Sequence, residues 1–455
     1  MSCSDLSSMG KKVKQKKKVA IATLGCKVNQ YETASFQSGF TAKGAELVPF
    51  SGEADIYVIN TCAVTGKAAA QSRRMIRRAL KSNPKARVVV TGCYSQIASK
   101  EIFKLSKQPL CIVGNGFKDQ LVDIAMAEDC CDLELFMGDI SRRKGISPLP
   151  VTRFSGRTRA YLKVQDGCDR FCSYCIVPYA RGPSRSLPAA RVVEQARVLM
   201  DQGYKEIVLT GIHIGLYGQD LEPEIDLAFL LEKLLALGGR VRYRISSLES
   251  AEITEPLLEL IAASDAVMPH LHIPLQSGDD TILQRMNRPY TTSQYRHILE
   301  KCAARMPDAA IGVDVLVGFP GETKESFATT RKFLEELPIS YLHVFPYSKR
   351  PGTVAAEMPD QVQSQEKDRR VAILRQLDHQ KRTAFYGRFV GCSRSVLAES
   401  SQNRFKLMRG FTDNYIPVYF AAPERIGNEI VEVTITRLVD ENVFGRLTQH
   451  EEQEG

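Results

Sequence analysis

AYLKVQDGCDRFCSYC, residues 160–175, bears on fold class and chemistry together. Ala160 to Gln165 has the residue types of a short buried strand. Cys168, Cys172 and Cys175 follow directly, in a C-x3-C-x2-C spacing. The strand is the first of six apolar candidates: AYLKVQ (160–165), EIVLTG (206–211), YRISSL (243–248), LHIPLQ (271–276), GVDVLVGF (312–319) and LHVFPY (342–347). Helical stretches such as AARVVEQARVLMDQG (189–203) and LAFLLEKLLALGG (227–239) separate them, with apolar residues three and four apart. Repeated βα units of this kind close into a barrel or partial barrel whose chemistry gathers at the carboxyl ends of its strands. The three thiols therefore converge on one loop at a barrel mouth.

A structural zinc site wants four ligands, and no fourth Cys or His lies nearby; the next histidine is His213. Soft thiolates also suit an iron–sulfur cluster. Three cysteines on a four-iron cluster leave one iron free to chelate a substrate. A zinc knuckle and plain buried thiols are the competing readings.

Upstream, VAIATLG (19–25), ADIYVINT (54–61), RVVVTG (87–92) and PLCIVG (109–114) read as buried strands. The helix-like stretches QYETASFQSGFTAKG (30–44) and TGKAAAQSRRMIRRALKS (65–82) lie between them. This alternation predicts a doubly wound, mostly parallel α/β domain. Cys26, Cys62 and Cys93 each stand just beyond a strand. In an open parallel sheet the carboxyl ends face one crevice, so the three can meet as metal ligands. The alternative is three unrelated small residues in tight turns. Cys111 reads as core, Cys302 and Cys392 as packing residues, and Cys3 as part of a flexible leader. Cys130-Cys131 has no ligand spacing.

Downstream of the barrel, SRSVLAES (393–400), RFKLMRGF (404–411), YIPVYF (415–420), EIVEVTITRL (429–438) and VFGRL (443–447) predict a small antiparallel barrel shaped like oligonucleotide-binding folds. The expected organisation is a basic leader 1–18, an α/β domain 19–127, a linker 128–158, a partial barrel 159–385, a small barrel 386–447 and a polar tail 448–455. Hydrophobic and charged shares of 44% and 25% exclude wholesale disorder. No apolar run reaches the roughly 18 residues of a membrane span. Twelve cysteines on a large chain without an export signal point to a reducing cytoplasm, with thiols and metal ligands rather than disulfides. The net charge of +9 is compatible with a polyanionic partner, although six of the lysines sit in the leader. Nothing demands an oligomer, so a monomer is expected.

A basic α/β domain with three dispersed cysteines, a CxxxCxxC barrel and a small terminal barrel together resemble the radical S-adenosylmethionine (SAM) methylthiotransferases. The terminal part resembles a TRAM domain, an RNA-binding module. The resemblance covers the chain from about Val19 to Leu447. Around the first cysteine the chain reads Leu24-Gly25-Cys26-Lys27-Val28-Asn29-Gln30-Tyr31-Glu32. That looks like the MtaB branch, which modifies threonylcarbamoyladenosine at position 37 of tRNA. The isopentenyladenosine branch typically shows GCQMN there, and the ribosomal-protein branch GCPKN.

The resemblance implies that Cys168, Cys172 and Cys175 hold a catalytic [4Fe-4S] cluster that reduces SAM. It implies that Cys26, Cys62 and Cys93 hold a second [4Fe-4S] cluster that handles sulfur. The radical produced would take hydrogen from adenine C2, and a second SAM would methylate the inserted sulfur. Strand-end stretches then become SAM-pocket candidates: Thr210-Gly211, Ser246 to Glu249, His272 to Gln276 with Gly278, and Asp314 to Gly321. Gly211, Glu249 and Gln276 stand for them as cofactor-binding residues. The implied partners are a tRNA anticodon loop, an electron donor such as flavodoxin or ferredoxin, and a sulfur donor.

Two basic regions are candidate RNA contacts. Arg73 with Arg77, and Arg74 with Arg78, fall one turn apart on a helix that also carries Lys81. Arg404, Lys406 and Arg409 interleave with Phe411, Tyr415 and Tyr419. The plain alternatives are a solvated helix face and an ordinary barrel core with a basic rim. Substrates of the other two branches are alternatives of function. A zinc-stabilised, non-catalytic RNA-binding protein is the alternative of another class.

Overall fold

The computed structural model describes residues 16–105, 109–127, 133–402 and 405–448. The leader up to residue 15, Cys3, Cys130, Cys131 and Arg404 lie outside the described residues.

Strands β1 (Lys18–Thr23), β2 (Glu46–Val48), β3 (Ile56–Thr61), β4 (Arg87–Gly92), β5 (Leu110–Val113) and β6 (Glu134–Phe136) form one parallel sheet. Their order is β2-β1-β3-β4-β5-β6. The chain runs outward from β1 to β2, then crosses back to β3, so the topological switch lies between β1 and β3. Both faces are covered. Ile56 and Val58 of β3 face a core shared with Tyr31, Phe36 and Phe40 of helix α1 (Lys27–Ala42). Tyr57 and Ile59 face another, shared with Ile76, Ala79 and Leu80 of helix α2 (Gly66–Ser82). This two-sided burial is why the strands read as continuous apolar runs. Thr65 caps α2 by accepting a 3.1 Å bond from the Ala68 amide.

The 128–158 segment departs from a simple linker. It supplies β6, which pairs with β5 at the sheet edge. It then runs as a strap that buries Leu149, Val151 and Phe154 in the common core. Tyr31 donates a 2.9 Å bond to the Leu149 carbonyl, and Gln195 bonds both the amide and the carbonyl of Val151. Spaced single apolar residues with no helix or strand period gave no sign of this packing.

The second layer begins with β7 (Ala160–Lys163) and a two-residue ribbon of β8 (Gln165–Asp166) against β9 (Arg185–Ser186). Next come β10 (Glu206–Thr210), β11 (Arg242–Ile245), β12 (His270–His272), β13 (Ala310–Val317) and β14 (Tyr341–Pro346). They pair in parallel as β11-β10-β7 and β12-β13-β14, and a parallel bridge between Tyr243 and Val267 lies beside the β11–β12 junction. All six predicted barrel strands are present, and the barrel is partial.

A long helix, Ser364–Gly387, leads into the third unit. There β15 (Ser393–Gln402), β16 (Leu407–Thr412), β17 (Pro417–Ala421), β18 (Ile430–Val439) and β19 (Asn442–Leu447) close into a five-stranded barrel of the TRAM kind. One pairing corrects the antiparallel expectation: β17 and β19 run parallel, because β18, between them in sequence, lies on the far side of β19 and pairs with β15. Cys302 is buried as expected, but Cys392 is exposed just before β15 and is not a packing residue. The unit is docked on the partial barrel. The side chain of Asn414 donates a 2.9 Å bond to the Asp308 carbonyl, and Arg244 donates a 3.0 Å bond to the Asp413 carbonyl. No helix among the described residues is long and apolar enough to cross a membrane.

Candidate active site

Register brings the first three cysteines together. Thr23 aligns with Asn60, and Thr61 with Gly92, so β1, β3 and β4 end side by side. Cys26, Cys62 and Cys93 follow those ends. Two glycines make the approach possible. Gly25, with φ of +92°, passes so close to Cys62 that an added Cβ would lie 2.8 Å from its sulfur. Gly92, with φ of +98°, lies against Thr61, where a Cβ would fall 2.3 Å from the carbonyl oxygen. Only glycine takes this backbone conformation and this contact together. Cys62 and Cys93 are buried, while solvent reaches Cys26. Burial, and then the neighbouring Cys93 and Cys26, push the Cys62 thiol up to about 11.

The second trio sits on the loop after β8. The Cys168 amide donates to the Gly182 carbonyl at 3.0 Å, and the Cys175 amide to the Cys172 carbonyl at 2.9 Å. Burial raises the Cys175 thiol to about 12. Arg288 donates to the Cys172 sulfur at 3.5 Å and is ion-paired with Glu249. His213 places Nδ1 3.3 Å from the Cys168 sulfur, and its Nε2 lies 2.5 Å from Glu252. His213 is far from the loop in sequence, so its approach was not foreseen.

Three soft thiolate donors in each trio suit an iron–sulfur group. Among the described residues, His272, Asp314 and His343 bring three ligand atoms within 4.8 Å of one another. They form a hydrogen-bonded set, with Asp314 2.9 Å from His272 Nε2 and 3.3 Å from His343 Nδ1. Lys27, Arg244 and Arg382 line the same cavity and disfavour a dication there.

One residue joins the two trios. Arg181, on the short helix Val177–Arg181, is 1% exposed. Its Nε donates to the Cys93 sulfur at 3.3 Å. Its Nη1 donates to Glu32 at 3.0 Å and to Asp166 at 2.8 Å, and its Nη2 donates to Asn29 at 2.7 Å. Lys118 and Lys163 complete the cluster around Glu32. Burial alone would raise the Glu32 carboxyl, but Arg181, Lys118 and Lys163 outweigh it and hold it down at about 2. Asp166 lies two residues before Cys168, so the network spans from one thiol loop to the other. Sequence reasoning missed Arg181. Its one local signal is the PYARG stretch (178–182) just after the third cysteine.

The SAM-pocket candidates occupy strand ends but differ in setting. Gly211 follows β10, where a Cβ would lie 2.8 Å from the Gln165 side chain. Gln165 in turn donates to the Gly167 carbonyl, next to Cys168, at 2.8 Å. Glu249 reaches the thiol loop through Arg288. Gln276 stands apart on the β12 side, with φ of +68° and a bridge to Val315.

The RNA candidates divide in a similar way. Arg73 is half-buried and donates to the Tyr94 hydroxyl at 3.0 Å, whereas Arg74, Arg77 and Arg78 are exposed. Lys406 is exposed with φ of +59°. Phe411 and Tyr415 stack on each other at 4.9 Å. Arg159 lies 4.3 Å over Phe411, and Arg244 4.6 Å over Tyr415. These two rings therefore serve the junction with the partial barrel rather than an outer face. Tyr419 packs against Phe444.

A partial (βα)6 barrel with a three-cysteine loop at the first strand end defines a radical SAM enzyme, and the comparisons agree. Residues 162–334 match the Radical SAM superfamily, and residues 18–114 match the family described as "Uncharacterized protein family UPF0004". A radical SAM methyltransferase, TsrM from Kitasatospora setae, solved with cobalamin and a [4Fe-4S] cluster, shares the fold. Its TM-score is 0.55 at 16% identity, covering 75% of this chain and 77% of that one. The threonylcarbamoyladenosine tRNA methylthiotransferase MtaB of Bacillus subtilis is 40% identical over 95% of this chain and 97% of its own. The tRNA-2-methylthio-N(6)-dimethylallyladenosine synthase of Bartonella tribocorum is 31% identical over 95% and 96%. The chain belongs to the radical SAM methylthiotransferase family. Its cofactors are SAM and [4Fe-4S] clusters.

Proposed function

We propose that this enzyme converts N6-threonylcarbamoyladenosine at position 37 of tRNA to its 2-methylthio derivative. The observation that carries the reading is the linking of two three-thiol loops by Arg181, which bonds Cys93 of one and Asp166, two residues ahead of Cys168, of the other. The identity of 40% to a relative named for threonylcarbamoyladenosine, against 31% to one named for dimethylallyladenosine, supports the substrate.

In this reading Cys168, Cys172 and Cys175 hold one cluster, and Cys26, Cys62 and Cys93 the other. The hydrogen on adenine C2 is neither acidic nor easily displaced, and the bound cofactors supply the one-electron chemistry, the sulfur and the methyl group that the conversion needs. The protein's task is placement. Arg181 fixes the distance between the thiol loops, because its guanidinium is held from four directions. Arg288 and His213 donate toward Cys172 and Cys168 and orient that loop. Glu249 and Glu252 hold those two donors in turn. An anticodon-loop adenosine swings out of its stack at less cost than one in a duplex. The exposed arginines of α2 and the outer rim of the terminal barrel would meet the RNA backbone. A flavodoxin or ferredoxin would deliver electrons, a separate donor would replenish sulfur, and the reaction would take place in the cytoplasm.

Nucleoside analysis of tRNA from cells lacking this protein tests the reading. Loss of 2-methylthio-N6-threonylcarbamoyladenosine with its unthiolated precursor retained is expected. Unchanged levels would overturn the substrate assignment.

A further inference from the structure

The partial barrel, with the long helix Ser364–Gly387 and the terminal barrel, lines a cavity of about 410 Å³, within the ordinary range of about 300–1,000 Å³ for a small-ligand pocket. Its wall is unusual in charge. Lys27, Arg159, Arg244 and Arg382 line it, against one carboxylate, Asp314. Several of these groups are already engaged. Arg244 is held by both oxygens of Glu206, at 2.9 and 3.1 Å. Arg382 bonds Asp378 at 2.9 Å, and Asp314 is taken by His272 and His343.

Three nitrogens remain unused, although Arg159 Nη2 lies 3.8 Å from Glu399. Arg159 Nη1 is buried without a hydrogen-bond partner, and so is His270 Nδ1. Lys27 has no ion pair among the described residues, and its ammonium lines the cavity within electrostatic reach of Arg159 and Arg244. A buried guanidinium nitrogen left unpaired is costly unless a ligand completes it. Two cationic donors facing one cavity match the two oxygens of a carboxylate. Lys27 also follows Cys26 directly, so the cavity opens beside the thiol trio assigned to sulfur.

We infer that this cavity receives the N6 substituent of the target base, with Lys27 and Arg159 binding the free carboxylate of its threonyl group. The inference rests on the substrate reading above and makes it specific: these are substrate-selecting residues, and the ligand is an anionic amino-acid substituent. His270 Nδ1 is left for the threonyl hydroxyl. A dimethylallyl group would leave the same donors unpaired. Sites built to hydrogen-bond a substrate reject analogues that lack the partner far more strongly than apolar pockets reject a size change.

The experiment uses the full chain with its clusters. Its substrates are tRNA bearing threonylcarbamoyladenosine and the same tRNA with the threonyl carboxylate converted to a neutral methyl ester. Wild-type enzyme is expected to show a KM for the ester about 10- to 100-fold higher, the worth of a charged hydrogen bond. Lys27→Gln and Arg159→Gln are expected to raise KM for the carboxylate substrate by a similar factor. KM for the ester and kcat should change little, and Lys27→Arg should restore much of the binding. Iron and sulfide contents equal to wild type exclude damage to the adjoining Cys26. Equal wild-type KM values for acid and ester, or variants that raise both alike, would overturn the inference and leave the substrate reading standing. Failure of the wild-type enzyme to modify threonylcarbamoyladenosine at all would instead overturn the substrate reading itself.

Discussion

Cys168, Cys172 and Cys175 fall within eight residues of chain, whereas Cys26 and Cys93 bound a stretch of 68. The compact trio is set by one loop, which the Cys168–Gly182 and Cys172–Cys175 backbone bonds hold in shape. The dispersed trio exists only when β1, β3 and β4 align and when Gly25 and Gly92 allow the close approaches beyond them. The first is therefore a local device and the second a property of a whole sheet. Damage to the sheet should cost the dispersed trio first, and damage to the loop should leave the sheet intact. Arg181 is where this separation breaks down, because it bonds Cys93 of the dispersed trio and Asp166, two residues ahead of the compact one.

The largest expected effects test whether the two trios have separate tasks. Cys172→Ala should abolish SAM cleavage and remove about half the iron. Cys62→Ala should lose a similar amount of iron and all sulfur insertion, while SAM cleavage persists. Anaerobic iron assay and cleavage-product analysis measure both. Equal loss of SAM cleavage in the two variants would erase the distinction.

Next in size is the link between them. Arg181→Met strands Glu32 and Asp166 as buried carboxylates, at an expected cost of about 3–5 kcal/mol in urea unfolding. Lys118 and Lys163 remain to Glu32, so the loss should lie toward the lower end. A loss below about 1 kcal/mol would mean that the trios are held independently.

Gly92→Ala should be smaller but selective. Gly92 has φ of +98° and ψ of −171°, a region essentially reserved for glycine that costs another residue roughly 1–3 kcal/mol, and here the new Cβ also meets Thr61. Iron at the dispersed trio should fall while SAM cleavage by the compact one continues. Retention of full iron would show that the crevice tolerates displacement of Cys93.

The smallest effect concerns the exposed face of α2, beyond Cys62. Arg77→Ala should weaken tRNA binding about threefold and lower the magnitude of its salt slope by about one. Arg73→Ala should act on stability through Tyr94 instead, with no change in the salt slope. Identical salt behaviour in the two variants would contradict this division of the helix.

Much of the architecture was legible because its signals are local. Strands buried on both sides appear as apolar runs: ADIYVINT and RVVVTG each contain the strand observed, and VAIATLG covers all of β1 but Lys18. The six barrel strands show the same apolar runs, and the five of the terminal barrel show as short strands at close spacing with alternating burial. β2 and β6 escaped, because three-residue edge strands with a charged member carry no periodic signal. The strap around Leu149 and Phe154 escaped for the same reason. Among site residues, the thiols stood out by spacing and strand position. Phe411 and Tyr415 were given an RNA-facing alternative that their stacking against Arg159 and Arg244 does not favour, since aromatic and basic residues interleave equally at domain junctions.

From its residues alone this chain declares its strand–helix order, its three units and six thiols poised at strand ends. Those follow from burial patterns and short-range spacing, which are written along the chain. The choice of partners belongs to the folded molecule. Arg181 between two thiol loops, His213 beside Cys168, and Lys27 lining one cavity with Arg159 all join residues distant in sequence. A charged side chain looks the same in sequence whether water or a buried carboxylate receives it, and only packing decides which.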